Sequence, residues 1–301
     1  MAPIRSFTES TLLDLVTADR RSGFMVRIAR NVDEGTGWVW LVTYDPDGVS
    51  GFVEDRFACA RHRTEDDGTG AEYVVGMPVD AGVEATVHRR GSSESPLGGH
   101  CVVDVLGHRS SDIPRGPGSE RLRVEATFTV PDRPAGSNLQ GRSESIVNVE
   151  ATLTVNGVTR HLSGMGQFHE QLQDTPRFDT PFTYTSLRGD DLSLIGLRGP
   201  RAGGGVVISA EGPEQLAGLE LDAYDGDDPW RRREFRCGAD ANGAPRFRGH
   251  LEPTVRYSIP IVDGRRPSAI VRGELNGREV TGFLNDWTPP PPSGSSQLSR
   301  A

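Results

Sequence analysis

The sequence predicts an all-β protein: two consecutive antiparallel β-barrels or sandwiches, one short N-terminal helix and a disordered C-terminal tail. Three observations carry this. Short segments such as GFMVRIARN, GWVWLVTYDPDG and RLRVEATFTV alternate apolar or β-branched residues with polar ones. Glycine and proline turns recur between them at short, regular intervals, and long helical periods are missing, which excludes a doubly wound fold. Finally, LTVNGVTRHLSGMGQF (153–168) is echoed by GELNGREVTGFLND (273–286), each built on an Asn-Gly pair, the favoured two-residue hairpin turn.

Taken in order, residues 8–20 (TESTLLDLVTADR) read as the helix, with Thr8 or Ser10 as cap and Leu12, Leu13, Leu15 and Val16 on one side. From residue 23 the period becomes two. Asp45–Pro46–Asp47–Gly48 is a strong turn signal, since proline pre-sets φ and glycine accepts positive φ. RGSSESPLGG and RSSDIPRGPGSE read as loops between further strands, and GPRAGGG (199–205) as a hairpin rather than a phosphate loop. The second half repeats the style up to Trp287. The tail TPPPPSGSSQLSRA is proline- and serine-rich and is expected to be disordered.

Composition narrows the chemistry. A net charge of −9 argues against general nucleic-acid binding. All 33 basic residues are arginine, which excludes lysine Schiff-base chemistry and a Walker P-loop. Cys59, Cys101 and Cys237 are odd in number and far apart, so reduced thiols of a cytoplasmic protein are expected. No apolar run is long enough for a membrane span, and no signal peptide is evident. His169–Glu170 opens a zincin-like string, but Gln173 stands where the second histidine must fall.

Residues 151–187 concentrate the remaining signals: a histidine, carboxylates, aromatics and close-packing glycines. His169 and Glu170 are neighbours, so on a strand one would face a cavity and the other would face away. An inward His169 suits acid–base work, oriented by a carboxylate such as Asp174 or Asp179. The alternative is a histidine bonded to backbone at the junction of the two barrels. Phe168, Phe178, Phe182 and Tyr184 fit either an interdomain core or the wall of a pocket for an apolar ligand. Trp38 and Trp40 are two apart and share one face of an early strand, read as barrel-lining.

Gly164-x-Gly166-x-x-His169-x-Gln171, downstream of an Asn-Gly hairpin, resembles the G-x-G-x-x-H-x-W segment of the two-domain lipocalin-like superfamily. That superfamily includes carotenoid 1,2-hydratases, AttH-like proteins and decalin-forming Diels–Alderases. The closing VRGELNGREVTGFLNDW resembles its last hairpin. Gln171 stands in place of the family's tryptophan, and Tyr184 with Asp190 or Asp191 are the candidates for its further tyrosine and aspartate.

The resemblance implies two lipocalin-like domains, at 1–170 and 171–288, before a tail at 289–301. It also implies a cofactor-independent cyclase, isomerase or hydratase/dehydratase, with no metal and no tightly bound cofactor. Its substrate would be a hydrophobic isoprenoid- or polyketide-like intermediate. The candidate catalytic residues are His169, Glu170 and Tyr184; the candidate substrate-binding residues are Gln171, Phe168, Phe178, Phe182, Trp38 and Trp40. A non-catalytic lipocalin-like carrier of a hydrophobic ligand is the alternative.

Overall fold

The computed structural model describes residues 8–31, 35–58, 64–66, 70–74, 83–90, 98–130, 135–136, 142–173, 180–201, 203–222, 228–239, 244–261 and 264–288. Phe178, Asp174, Asp179, Cys59 and the tail at 289–301 lie outside them. Strands up to Gln173 form one sheet and those from Phe182 on form a second.

The first sheet has twelve strands. They are β1 (Thr8–Thr17), β2 (Gly23–Asn31), β3 (Thr36–Asp45), β4 (Gly48–Ala58), β5 (Thr64–Asp66) and β6 (Gly70–Val74), then β7 (Glu84–Arg90), β8 (Gly98–Arg109), β9 (Glu120–Thr129), β10 (Ala135–Gly136), β11 (Arg142–Val155) and β12 (Val158–Gln173). Eight of them close a barrel in the order β11-β12-β1-β2-β3-β4-β8-β9 and back to β11.

The second sheet has nine strands: β13 (Phe182–Arg188), β14 (Leu192–Arg198), β15 (Gly203–Ser209), β16 (Gly212–Ala217), β17 (Glu220–Leu221), β18 (Arg233–Ala239), β19 (Pro245–Ile261), β20 (Gly264–Leu275) and β21 (Arg278–Trp287). Their order is β16-β15-β14-β13-β21-β20-β19-β18-β17, an open half-barrel beside the closed one, where the sequence left barrel or sandwich open. The two end strands do not pair. One is only two residues long, and the other contains Pro213, which has no N–H for a ladder.

The expected N-terminal helix is overturned. Residues 8–17 are strand β1, and no helix occurs among the described residues. The apolar cluster that imitates a helical stripe arises because both faces of β1 are covered. Leu13 and Leu15 enter the barrel interior, while Leu12 and Val16 face the second sheet. No helix among these residues is long and apolar enough to cross a membrane.

The two-residue period sorts side chains into three cores. The barrel interior is filled by residues such as Phe24, Val26, Leu41, Phe52, Phe128 and Phe168. The half-barrel encloses Leu187, Leu194, Phe235, Val271 and Leu284. Between them, the outer wall of β1–β4 (Met25, Trp38, Trp40, Val42) packs against Tyr257, Ile259, Ile270, Phe283 and Trp287 of the second sheet. The segment read as a loop at 109–120 also tethers the sheets: Ile113 N–H donates to Ser258 O at 3.0 Å, and Ser258 N–H donates to Ser111 O at 2.7 Å.

The echoed hairpins use one device twice. Asn156 and Gly157 have φ of 49° and 82°, and Asn276 and Gly277 have 51° and 77°, the left-handed pair of a type I′ turn. Asn156 Oδ1 accepts from Arg121 N–H at 2.9 Å, and Asn276 Oδ1 accepts from Arg248 N–H at 2.9 Å. Each turn is therefore pinned to the strand beside its hairpin.

Candidate functional site

Strand β12 decides what His169 can meet. Its ladder with β1 places Gly166 opposite Leu15 and His169 opposite Leu12. A Cβ at Gly166 would lie 2.0 Å from Asp14 O, so only glycine lets β12 run this close to β1. Counted from the Asn156–Gly157 turn, Glu144 lies twelve residues before Asn156 and His169 twelve after Gly157, and the ladder pairs them. One cross-strand row on the barrel's outer wall therefore reads Glu144, His169, Leu12, Arg27, Trp40. The neighbouring row reads Ile146, Gln167, Asp14, Met25, Val42.

His169 is buried, and its Nδ1 lies 2.9 Å from Glu144 Oε1. Arg142 also pairs with Glu144. Gln167 Nε2 donates to Glu144 Oε2 and to the Tyr184 hydroxyl, which reaches across from the second sheet. Tyr184 in turn donates to Glu144 Oε2 at 3.5 Å, and the Arg142 guanidinium lies 4.8 Å from its ring centroid. Below this network, Arg188 of β13 grips Asp14 of β1 at 2.5 Å.

Charge states follow from these contacts. Burial pushes Glu144 up, but Arg142 and His169 outweigh it and hold the carboxyl down at about 2. Burial pulls His169 down, with Arg142 and Arg27 adding to the fall against the pull of Glu144, to about 4. Burial keeps the Tyr184 phenol protonated, well above its ordinary value. At neutral pH the site therefore holds an ionised Glu144 and a neutral His169. A carboxylate can only accept, so Nδ1 carries the ring proton and Nε2 bears the lone pair. His169 Nε2 is buried and has no hydrogen-bond partner among the described residues. Gln167 Oε1 is likewise without one.

The structure distributes the sequence candidates over both faces of the wall. His169, Gln171, Tyr184, Phe182, Trp38 and Trp40 all face the seam between the sheets. Trp38 and Trp40 meet edge to face at 4.5 Å and are on the outer wall of the barrel, not its lining as read from sequence. Phe168 points into the barrel and stacks on Phe128 at 4.5 Å. Glu170 also turns inward, away from His169, and pairs with Arg89 at 2.9 Å. Glu144, Arg142, Gln167, Asp14 and Arg188 were not singled out from sequence. No group of three or more His, Cys, Asp or Glu positioned to hold a metal occurs among the described residues. Cys101 and Cys237 are free and buried.

No family model matches the sequence, and no curated protein matches it. Solved structures do match. An AttH-like protein of Nitrosomonas europaea superposes with a TM-score of 0.60 at 10% identity, covering 93% of this chain and 92% of that one. This chain has the lipocalin-like fold of the AttH-like proteins. Two enzymes share that fold with it. CghA, a Diels–Alderase, gives a TM-score of 0.53 at 12% identity, over 95% of this chain and 89% of its own. Kievitone hydratase from Nectria haematococca gives 0.54 at 10% identity, over 94% and 89%. At these identities the likeness is one of fold.

Proposed function

We propose that this lipocalin-like protein is a small-molecule biosynthetic enzyme that moves a proton at His169 Nε2, in the seam between barrel and half-barrel. The reaction class is isomerisation, cyclisation, or addition or loss of water on a hydrophobic intermediate. One observation carries the reading: a buried, neutral histidine fixed at Nδ1 by an ionised carboxylate, with an unpartnered Nε2. That is the arrangement of a general base waiting for a proton. Glu144 sets the tautomer and stabilises the imidazolium that forms. Gln167 and the protonated Tyr184 are positioned to donate or accept hydrogen bonds as charge develops on the substrate. Trp38, Trp40 and Phe182 supply apolar wall that orders a substrate in a reactive conformation.

A Diels–Alderase and a hydratase among the structural neighbours support a catalytic use of this fold. The test is turnover in a small-molecule extract of the native host, followed by mass spectrometry. Wild type should convert at least one component, and His169→Ala should convert none while still folding, as a cooperative melting transition will show. Full turnover by His169→Ala would refute the assignment. A compound bound stoichiometrically but never altered would make the protein a carrier.

A further inference from the structure

Three of the four buried arginines among the described residues hold carboxylates. Arg30 holds Glu9, Arg188 holds Asp14 and Arg233 holds Asp286, each at 2.5 Å. Arg266 breaks the pattern. It is 5% exposed and has no ion pair with any described residue; its Nε is buried with no hydrogen-bond acceptor. Its guanidinium instead lies over two aromatic rings, 5.9 Å from the Trp40 centroid and 5.5 Å from that of Phe182. Burial lowers its pKa to about 10, which leaves it charged at neutral pH. Asp286 supports its charge only from a distance, being gripped by Arg233, so this desolvated cation has no direct counter-ion, and the two ring faces offset only a part of the cost of its burial.

Its position gives this cost a use. Arg266 projects from β20 into the same seam as His169, against the barrel wall. Trp40, which it covers, is three strands along the row from His169, roughly 14 Å at normal strand spacing. Phe182, the other ring it covers, also borders a cavity of about 120 Å³ with Trp287 and Arg198. A second cation thus lines the space beside the ring.

We propose that Arg266 is an anion-recognition residue, and that the molecule bound in the seam is a hydrophobic monoanion whose carboxylate or acidic enol pairs with it. The apolar body of that molecule runs along Trp40 and Phe182 toward His169. This rests on the seam being the ligand site, and it deepens the proposed function by naming the substrate class. The anionic group supplies the missing counter-ion, and the planar guanidinium suits a two-oxygen acceptor.

The test uses the full chain and two probes of equal length, decanoate and its neutral methyl ester, titrated by calorimetry. Wild type should bind the carboxylate at least tenfold more tightly than the ester. Arg266→Met should lose that preference while keeping ester affinity within about twofold. His169→Ala should retain the preference, because it lacks only the base. Equal binding of the two probes by wild type, binding of neither, or a preference that survives in Arg266→Met would each overturn the proposal. The wild-type comparison alone suffices if Arg266→Met does not fold. A charge preference in a protein that turns nothing over would leave the anion site standing and remove the enzymatic reading.

Discussion

Asp14 and Arg188 are 174 residues apart in the chain and 2.5 Å apart in space, one on each sheet. Both are buried, and Gln167 N–H donates to Asp14 Oδ1 at 2.9 Å, so the pair also braces the strand that carries His169. Removing one partner strands the other charge in the seam. Asp14→Leu should destabilise the protein by about 3–5 kcal/mol. The double variant Asp14→Leu/Arg188→Met should recover most of that loss, since paired apolar replacements leave no unmatched charge. Urea unfolding of the two single variants and the double variant measures the coupling.

His169 should behave unlike an ordinary histidine in solution. Its folded pKa of about 4 lies below the unpaired value of 6.5. As pH falls below 6.5, the unfolded chain takes up a proton that the folded ring refuses until about pH 4. Stability is therefore full above 6.5 and is lost across that window. Glu144, held at about 2 against 4.5, adds a second loss between those values. His169→Gln should flatten the first slope, which acid unfolding midpoints will show. The acid limb of turnover should fall near pH 4 rather than near 6.5.

Glu144→Gln keeps the shape of the site and removes the charge. The amide no longer forces the ring proton onto Nδ1, and His169 loses the interaction that raises its pKa. Turnover should fall by roughly a hundredfold or more, in the range of general-base losses. The His169 pKa should move still lower, which ring-carbon NMR titration detects.

The two Asn-Gly turns should respond alike to the same change. Gly157→Ala and Gly277→Ala place a side chain at φ of 82° and 77°. Each should cost about 1–2 kcal/mol, the left-handed penalty for an L-residue. Neither glycine has an atom within 4 Å of its added Cβ, so the loss is purely conformational. Chemical denaturation of both variants tests it.

Much of this was legible in the sequence, because turns and alternation are local. Asn156–Gly157 and Asn276–Gly277 announced both hairpins. The first also fixed the register that sets Glu144 against His169, a signal that counting outward from the turn would have revealed. The helix expected at 8–20 failed because Leu12 and Leu13 are buried on opposite faces, and a strand covered on both sides has the apolar content of an amphipathic helix. Which face of β3 points outward also depended on the second sheet, so Trp38 and Trp40 were read as barrel-lining. Arg266 carried no local signal at all: its lack of a partner exists only once the sheets meet.

The strand order has a kinetic consequence. β1 sits between β2 and β12, so the barrel cannot close until residues 158–173 have been synthesised. β13 likewise waits for β21, at the far end of the second sheet's sequence. The last hairpin closes the barrel in the first half and joins the two wings of the open sheet in the second, through contacts that span most of each half. Such non-local closure places folding on the slow, millisecond-to-second side of the scale. It also leaves the edges of β1 and β13 open to other chains during translation, so these edges are where premature association would begin.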